Sequence, residues 1–280
     1  MYFFRLYNMY KCRVNKRLYY ILNKLPFQKY NLLKAMKYSM FSGGKRLRPC
    51  LVYGIGRMFT VNLITLDVIS SAIECIHIYS LIHDDLPCMD NDSLRRGKNS
   101  CHIEYNEYIS LLAGDAFQSL SFNILSNSIM PGVSNYKRLN MISELSNSIG
   151  SSGMCIGQML DLEKKTITDH NLESINLYKT ALLIRSSVRL AYFASRNRSK
   201  SILQILDSFA ICIGLAFQIK DDIIDFKNDS CSVIKNIKHA EHKIKDLYEK
   251  AFLALKSLKK KDFNIKFLEN LTKFIILGNQ

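Results

Sequence analysis

The 280 residues contain no tryptophan, and only 4 prolines and 12 glycines. With so few breakers, long helices joined by short loops are the simplest expectation. None of the eight cysteines (Cys12, Cys50, Cys75, Cys88, Cys101, Cys155, Cys212 and Cys231) forms a C-x-x-C pair, and no regular framework emerges. This argues against a disulfide scaffold, and also against structural zinc at Cys75 with His77 or Cys101 with His102. Thiols in a reducing cytosol are expected instead. The apolar start, Met1-Tyr2-Phe3-Phe4, is broken at Arg5 and followed by Lys11, Arg13 and Lys16, unlike a signal peptide. No stretch reads as the roughly 20 apolar residues of a membrane span. The sequence therefore predicts a cytoplasmic protein with no membrane insertion.

Acidic residues are also in short supply. Lys and Arg total 39 against 24 Asp and Glu, giving a net charge of +15 and a pI of about 9.4. A nucleic-acid partner would explain such an excess. The lysines are scattered, however, and the densest runs, at 164–165 and 259–261, are short. A compositional bias explains them better, and no nucleic-acid partner is expected. A basic surface still steers small anions towards the protein.

What is abundant is apolar: 48% of residues are hydrophobic and 22% charged, enough for a substantial core. Helical spacing recurs in steps of three and four through Ile69, Ile73, Ile76 and Ser80, with Leu81 adjacent. The same spacing appears in 107–129, in 177–194, from Leu206 to Phe217, and from Ala240 through Leu247 to Leu255. Period-two alternation is not sustained anywhere. Pro26, Pro49, Pro87 and Pro131 fall at plausible helix boundaries. The fold class is all-α, a bundle whose central helices are mostly apolar, read as a single domain over 1–280.

Two acidic clusters sit where such helices end. If the helix from Leu206 continues, Asp221 and Asp225 share a face with Gln218, in line with the apolar stripe, and Asp222 is adjacent. The segment 83–92 repeats the theme with Asp84, Asp85, Asp90 and Asp92. Pro87 stops its helix, so Asp90 can fold back beside Asp84. Carboxylates gathered this way repel one another and need cations. Oxygen-only ligands suit magnesium bridging to phosphates, and the alternating calcium-loop pattern is missing. A lone Asp-Asp pair reads as a solvated helix end, but two such clusters favour metal.

Cations stand nearby. Residues 43–49 read Gly43-Gly44-Lys45-Arg46-Leu47-Arg48-Pro49, two glycines that let backbone approach an anion, then three basic side chains. Arg95 and Arg96 follow the first acidic cluster. Guanidinium groups on one side and metal on the other are what a metal–phosphate complex requires.

These residues carry a resemblance. GGKRLRP at 43–49, ECIHIYSLIHDDLPCMDNDSLRRG at 74–97, LAGD at 112–115, GQMLDL at 157–162, YKT at 178–180 and GLAFQIKDDIID at 214–225 occur in the order of the trans-isoprenyl diphosphate synthases. The chain is most similar to the bacterial farnesyl diphosphate synthases. The resemblance implies about ten helices around a central catalytic cavity, a homodimer, and two aspartate motifs sharing three magnesium ions through Asp84, Asp85, Asp90, Asp221, Asp222 and Asp225. It implies isopentenyl diphosphate on Lys45, Arg48, His77 and Arg96. The allylic diphosphate falls to Arg95, Lys179, Thr180, Gln218 and Lys235, with Lys179, Thr180 and Gln218 at the reacting centre. Tyr79 and Ser80, five and four residues before Asp84, are implied to set product length. Asp115, Gln158 and Asp161 read as supporting residues.

The expected reaction is head-to-tail condensation of isopentenyl diphosphate with dimethylallyl or geranyl diphosphate to farnesyl diphosphate. A synthase of different product length, or a degenerate homologue serving as a partner subunit, stands as the alternative. A terpene cyclase would not need the 43–49 stretch. The resemblance falters after Asp225. Similar enzymes continue with a glycine-lysine pair and a lysine-bearing loop, whereas here Ile234 precedes Lys235 and about twenty residues are missing by this comparison. Lys235, and in part Lys238, are expected to substitute.

Overall fold

The computed structural model describes residues 2–163, 169–228 and 237–277, with the side chains of 169–171, 225–228 and 277 outside that description. In chain order the elements are α1 (Tyr2–Lys24), α2 (Asn31–Phe41), α3 (Leu47–Met58), α4 (Leu63–Asp84), β1 (Leu94–Arg95), β2 (Lys98–Asn99), α5 (Cys101–Glu104), α6 (Glu107–Asn127), α7 (Asn135–Ile149), α8 (Met154–Leu162), α9 (Asp169–Asn176), a π-helical turn (Leu177–Ala181), α10 (Leu182–Ala194), α11 (Lys200–Asn228), α12 (Ile237–Lys259) and α13 (Lys266–Leu277). The all-α architecture expected from the sequence is what the chain adopts. Among the described residues, the strands are a single two-residue hairpin pairing Leu94 with Asn99 and Arg95 with Lys98.

Two compact units form: Met1–Tyr53 with Asn62–Arg138, and Gly54–Val61 with Leu139–Gln280. In the first, α4 is the central element and packs against α1, α2 and α6. The α1 side chains Val14, Leu18 and Leu22 are fully buried. Tyr10 stacks on Tyr53 with ring centres 4.7 Å apart. Arg13 grips both oxygens of Asp67 at 3.0 and 2.6 Å, and the Tyr53 hydroxyl donates to the same carboxylate at 2.6 Å. Ser121 of α6 donates to the carbonyl of Ala72 at 2.8 Å, a buried polar tie across the α4–α6 contact.

In the second unit α11 packs on α10 and α12. Gly214 allows close contact with Ala181, where an added Cβ would lie 2.7 Å from the Ala181 side chain. Arg189 bridges Glu144 and Asp207 with hydrogen bonds of 2.6 to 2.8 Å, tying α7, α10 and α11 together.

The expectation that nothing is long and apolar enough to cross a membrane needs correction. Both α4 and the Lys200–Ile224 part of α11 pass by length and composition. Their most apolar windows are 67% and 56% buried inside the protein. A helix apolar around most of its circumference, packed by neighbours on several sides, is how a central core helix is built.

Candidate active site

The first unit gathers basic groups around the loop that enters α3. Gly43 and Gly44 have φ of +112° and +119°, open to glycine and strained for other residues. A Cβ on Gly44 would lie 2.8 Å from the guanidinium carbon of Arg96, which donates to the Gly43 carbonyl at 2.6 Å. Bare backbone is therefore the bed on which Arg96 lies. The Tyr7 hydroxyl donates to the Lys45 carbonyl at 2.5 Å and fastens the loop to α1. Lys45 is exposed, and Arg48 lies in the first turn of α3.

His77 of α4 shares this environment. Burial, and then the charges of Arg48, Arg96, Arg46 and Arg95, push its pKa well below the ordinary histidine value. Its imidazole is neutral at pH 7, a hydrogen-bond donor rather than a fifth cation. The structure thus brings together Arg48, His77 and Arg96, three of the four residues expected to bind one diphosphate, and carries the fourth, Lys45, on the adjoining loop.

The hairpin explains how two consecutive arginines serve different partners. Arg96 and Gly97 form its two-residue turn, with φ of +57° and +75°. Left-handed conformations at both positions match the natural twist of paired strands. Arg95, on β1, reaches the other way. Its Nε donates to Asp85 Oδ1 at 2.8 Å, its Nη2 donates to the same oxygen, and Nη2 also meets Asp92 at 2.8 Å. Asp85 and Arg95 hold each other in this structure, although both were expected to face substrate or metal. Burial pushes the Asp85 carboxyl up, and the arginine opposes that shift.

Asp84 is the last residue of α4, and the backbone N–H of Asp90 donates to the Asp84 carbonyl at 2.9 Å. The fold-back expected from Pro87 is present. Below it, the Tyr79 ring is buried and stands edge-on to His83 at 5.0 Å. Ser80 donates to the His77 carbonyl at 2.9 Å. Asp115 lies 3.9 Å from His83 Nε2, which also meets the Leu111 carbonyl at 3.0 Å.

In the second unit the π-helical turn carries Lys179 and Thr180. Widened turns of this kind are rare and often mark functional positions. The Lys179 ammonium meets Asp161 at 2.6 Å. Gly157 of α8 lies against the Lys179 backbone so closely that a Cβ there would overlap it. Thr180 donates to Gln218 Oε1 at 2.6 Å, and Gln218 Nε2 donates to Asp222 Oδ1 at 2.9 Å. Asn176, buried, reaches Asp222 Oδ2 at 3.4 Å. Thr180, Gln218 and Asp222 form one hydrogen-bonded chain, and Asn176 is a member that no sequence motif announced. Gln158 buries both amide atoms without a hydrogen-bond partner. The Asp225 side chain and all of Lys235 lie outside the described residues.

Among the described residues no three acidic, histidine or cysteine side chains converge as metal ligands. The donors nonetheless suit magnesium, which takes one or two carboxylates and fills its shell with water and phosphate oxygens. Asp84, Asp90, Asp221 and Asp222 offer oxygen alone.

The comparisons agree with this chemistry. A family model described as Polyprenyl synthetase matches residues 29–271. A farnesyl diphosphate synthase of Buchnera aphidicola subsp. Acyrthosiphon pisum is 64% identical, aligned over 93% of this chain and 98% of its own length. The Escherichia coli farnesyl diphosphate synthase is 42% identical over 96% of each chain. Among solved structures, a geranyltransferase from Legionella pneumophila superposes with a TM-score of 0.91 at 34% identity, covering 98% of this chain and 97% of its own. A geranyltransferase from Helicobacter pylori, complexed with magnesium and isoprenyl diphosphate, superposes at 0.81 and 28% identity, covering 97% of this chain and 96% of its own. Fold and site together define an all-α isoprenoid synthase. The chain belongs to the polyprenyl synthetase family, alongside bacterial farnesyl diphosphate synthases.

Proposed function

We propose that the protein is a prenyltransferase that joins isopentenyl diphosphate head to tail to dimethylallyl and then geranyl diphosphate, stopping at farnesyl diphosphate. The observation that carries this reading is the basic site of Arg48, Arg96 and neutral His77 beside the glycine loop, which is additional to the acidic clusters. A cyclase, with one diphosphate to bind, has no use for it. The relatives at 64% and 42% identity, both farnesyl diphosphate synthases, support the same product.

In this reading Lys45, Arg48 and Arg96 bind the diphosphate of isopentenyl diphosphate, with His77 donating one neutral N–H. Arg95 and Lys179 serve the allylic diphosphate. Asp84, Asp85 and Asp90, with Asp221, Asp222 and Asp225, would hold magnesium, three ions by resemblance, which when bound would supply positive charge against the leaving diphosphate. Thr180 and Gln218 present oxygens that stabilise positive charge on carbon without capturing it. The alkene of isopentenyl diphosphate forms the new bond, and the proton it loses goes to the released diphosphate, so no protein base is required. The apolar helices exclude water from the cation.

The protein works in the cytoplasm as a homodimer. Support for pairing comes from α6, whose Tyr108, Leu111 and Leu112 are 65%, 47% and 50% exposed on one helical face. Purified protein is incubated with magnesium, labelled isopentenyl diphosphate and each of three primers of five, ten and fifteen carbons. Fifteen-carbon product from the first two, and almost none from the third, is expected. Absence of condensation, or chains of twenty carbons as the main product, overturns the assignment.

A weakened synthase is the second reading. The alignment to the Buchnera relative uses 276 positions but only 93% of this chain, as gaps in this chain would produce. Such gaps are consistent with a shortening after Asp225 that removes a loop cation. Inserting the usual lysine-bearing loop there should raise turnover at saturating magnesium by about tenfold or more if the segment matters. Brisk native turnover, unchanged by the insertion, shows that it does not.

A further inference from the structure

The basic residues of the loop before α3 do not all face the same way. Arg46, between Lys45 and Arg48, is 4% exposed, and its backbone has a φ of +54°. That left-handed conformation is uncommon for a residue with a side chain and persists only where its surroundings enforce it. Here it turns the guanidinium inward. Nε donates to Asn15 Oδ1 of α1 at 2.9 Å, Nη1 to Glu74 Oε1 of α4 at 2.6 Å, and Nη2 to the Met40 carbonyl of α2 at 2.5 Å. One side chain thus ties the loop to three helices.

Its counter-charge is equally enclosed. Glu74 is 1% exposed, and its Oε2 has no hydrogen-bond partner. Removing either partner of so enclosed a pair would leave the other buried and uncompensated. Glu74 lies one turn before His77 on α4, and its charge acts on Arg96 as well as on Arg46. Arg46 in turn is among the cations that keep His77 neutral. The pair therefore sits directly behind the groups assigned to isopentenyl diphosphate, without being among them.

We infer that Arg46 and Glu74 are the positioning pair of the isopentenyl diphosphate site. Glu74 locks Arg46 in its left-handed conformation, and this lock leaves Lys45 exposed and Arg48 beside His77. The same carboxylate supplies the buried negative charge that lets Arg48 and Arg96 gather beside His77 before the anion arrives. Neither residue touches substrate. The inference rests on the reading that Lys45, Arg48, His77 and Arg96 bind that diphosphate.

The test separates positioning from simple fastening. Glu74→Gln leaves Arg46 buried without a counter-charge. It is expected to lower thermal stability and to raise KM for isopentenyl diphosphate about tenfold or more, with KM for geranyl diphosphate within about twofold. Arg46→Lys keeps the charge but loses the planar fork, and is expected to raise the same KM by several fold. The double variant Arg46→Met/Glu74→Leu removes both buried charges together. It should recover much of the stability while KM for isopentenyl diphosphate stays high. A double variant that regains both stability and native KM shows the pair to be a structural fastening, and overturns the inference. So does an unchanged KM in Arg46→Lys, which decides the matter if Glu74→Gln fails to fold. Arg48→Ala is the control for the underlying reading. If it leaves KM for isopentenyl diphosphate unchanged, the site assignment has failed. If it raises that KM while the Arg46 and Glu74 variants do not, only the positioning role has failed.

Discussion

The ammonium group of Lys179 lies 2.6 Å from Asp161, two residues joined across the contact between the π-helical turn and α8. Both are partly enclosed, at 21% and 16% side-chain exposure, so the pair is worth more than an ion pair in open water. Asp161 thereby aims the lysine. Asp161→Asn is expected to lower kcat/KM for geranyl diphosphate by about tenfold, and Lys179→Ala by about a hundredfold. Combining them should be no worse than Lys179→Ala alone if the carboxylate serves the allylic diphosphate by aiming the lysine. Steady-state kinetics of the three variants check this, and additive losses would separate the two residues' roles.

Asp84 ends α4 and Asp221 lies near the end of α11, both at intermediate exposure and neither part of the packed core. Asp84→Ala and Asp221→Ala should each reduce turnover by about two orders of magnitude or more while the melting curve stays close to that of the unaltered protein. Excess chelator should abolish activity, and added magnesium restore it. Undiminished turnover in chelator would contradict the metal assignment.

The buried Tyr79 ring stands five residues before Asp84, about 7.5 Å along the helix axis. If it forms the floor on which the growing chain stops, Tyr79→Ala should shift products to twenty carbons or longer, resolved by chain length. Removing a buried aromatic also costs roughly 3–5 kcal/mol of stability, so the assay belongs well below the variant's melting temperature. A product distribution that stays at fifteen carbons would place the limit elsewhere.

His77 makes stability depend on pH in a definite direction. Its folded pKa lies well below 6.5, the unfolded reference, so the unfolded chain takes up a proton first as pH falls. Its contribution is fully present above pH 6.5 and is lost as pH drops from there towards the folded value. Chemical denaturation at pH 7.5 and at pH 5.5 should therefore show a larger loss for the native sequence than for His77→Gln. An equal loss in the two proteins would show that His77 is not what titrates.

The long helices were legible because their apolar steps are set by the chain itself. The stripe through Ile69, Ile73 and Ile76 is α4, that from Leu206 is α11, and the spacing from Ala240 falls on α12. The fold-back of Asp90 followed from one proline. The π-helical turn was not legible, since a spacing of three and four ran through 177–194 without a break. The wider turn accompanies the close contact of Gly157 with the Lys179 backbone, which only the folded chain brings about. Nor did the letters distinguish Arg46 from Lys45 and Arg48. A run of cations does not record which backbone conformation turns one of them inward. The mutual pairing of Asp85 and Arg95 was hidden as well: it depends on a hairpin whose strands are two residues long, too short for any alternation to be seen.

That hairpin makes sequence length in this segment as consequential as sequence content. Side chains on a strand alternate, and here Arg95 turns to Asp85 while Arg96, in the turn, crosses to the Gly43 carbonyl. Inserting or deleting one residue between Asp92 and Gly97 would exchange their targets without altering a single chemical group. Substitutions at Ser93 and Leu94, both exposed, leave the reach of both arginines intact, whereas Asn91 holds a left-handed φ of +54°. Natural variation in this stretch should therefore be rich in replacements and nearly devoid of frame-preserving insertions and deletions.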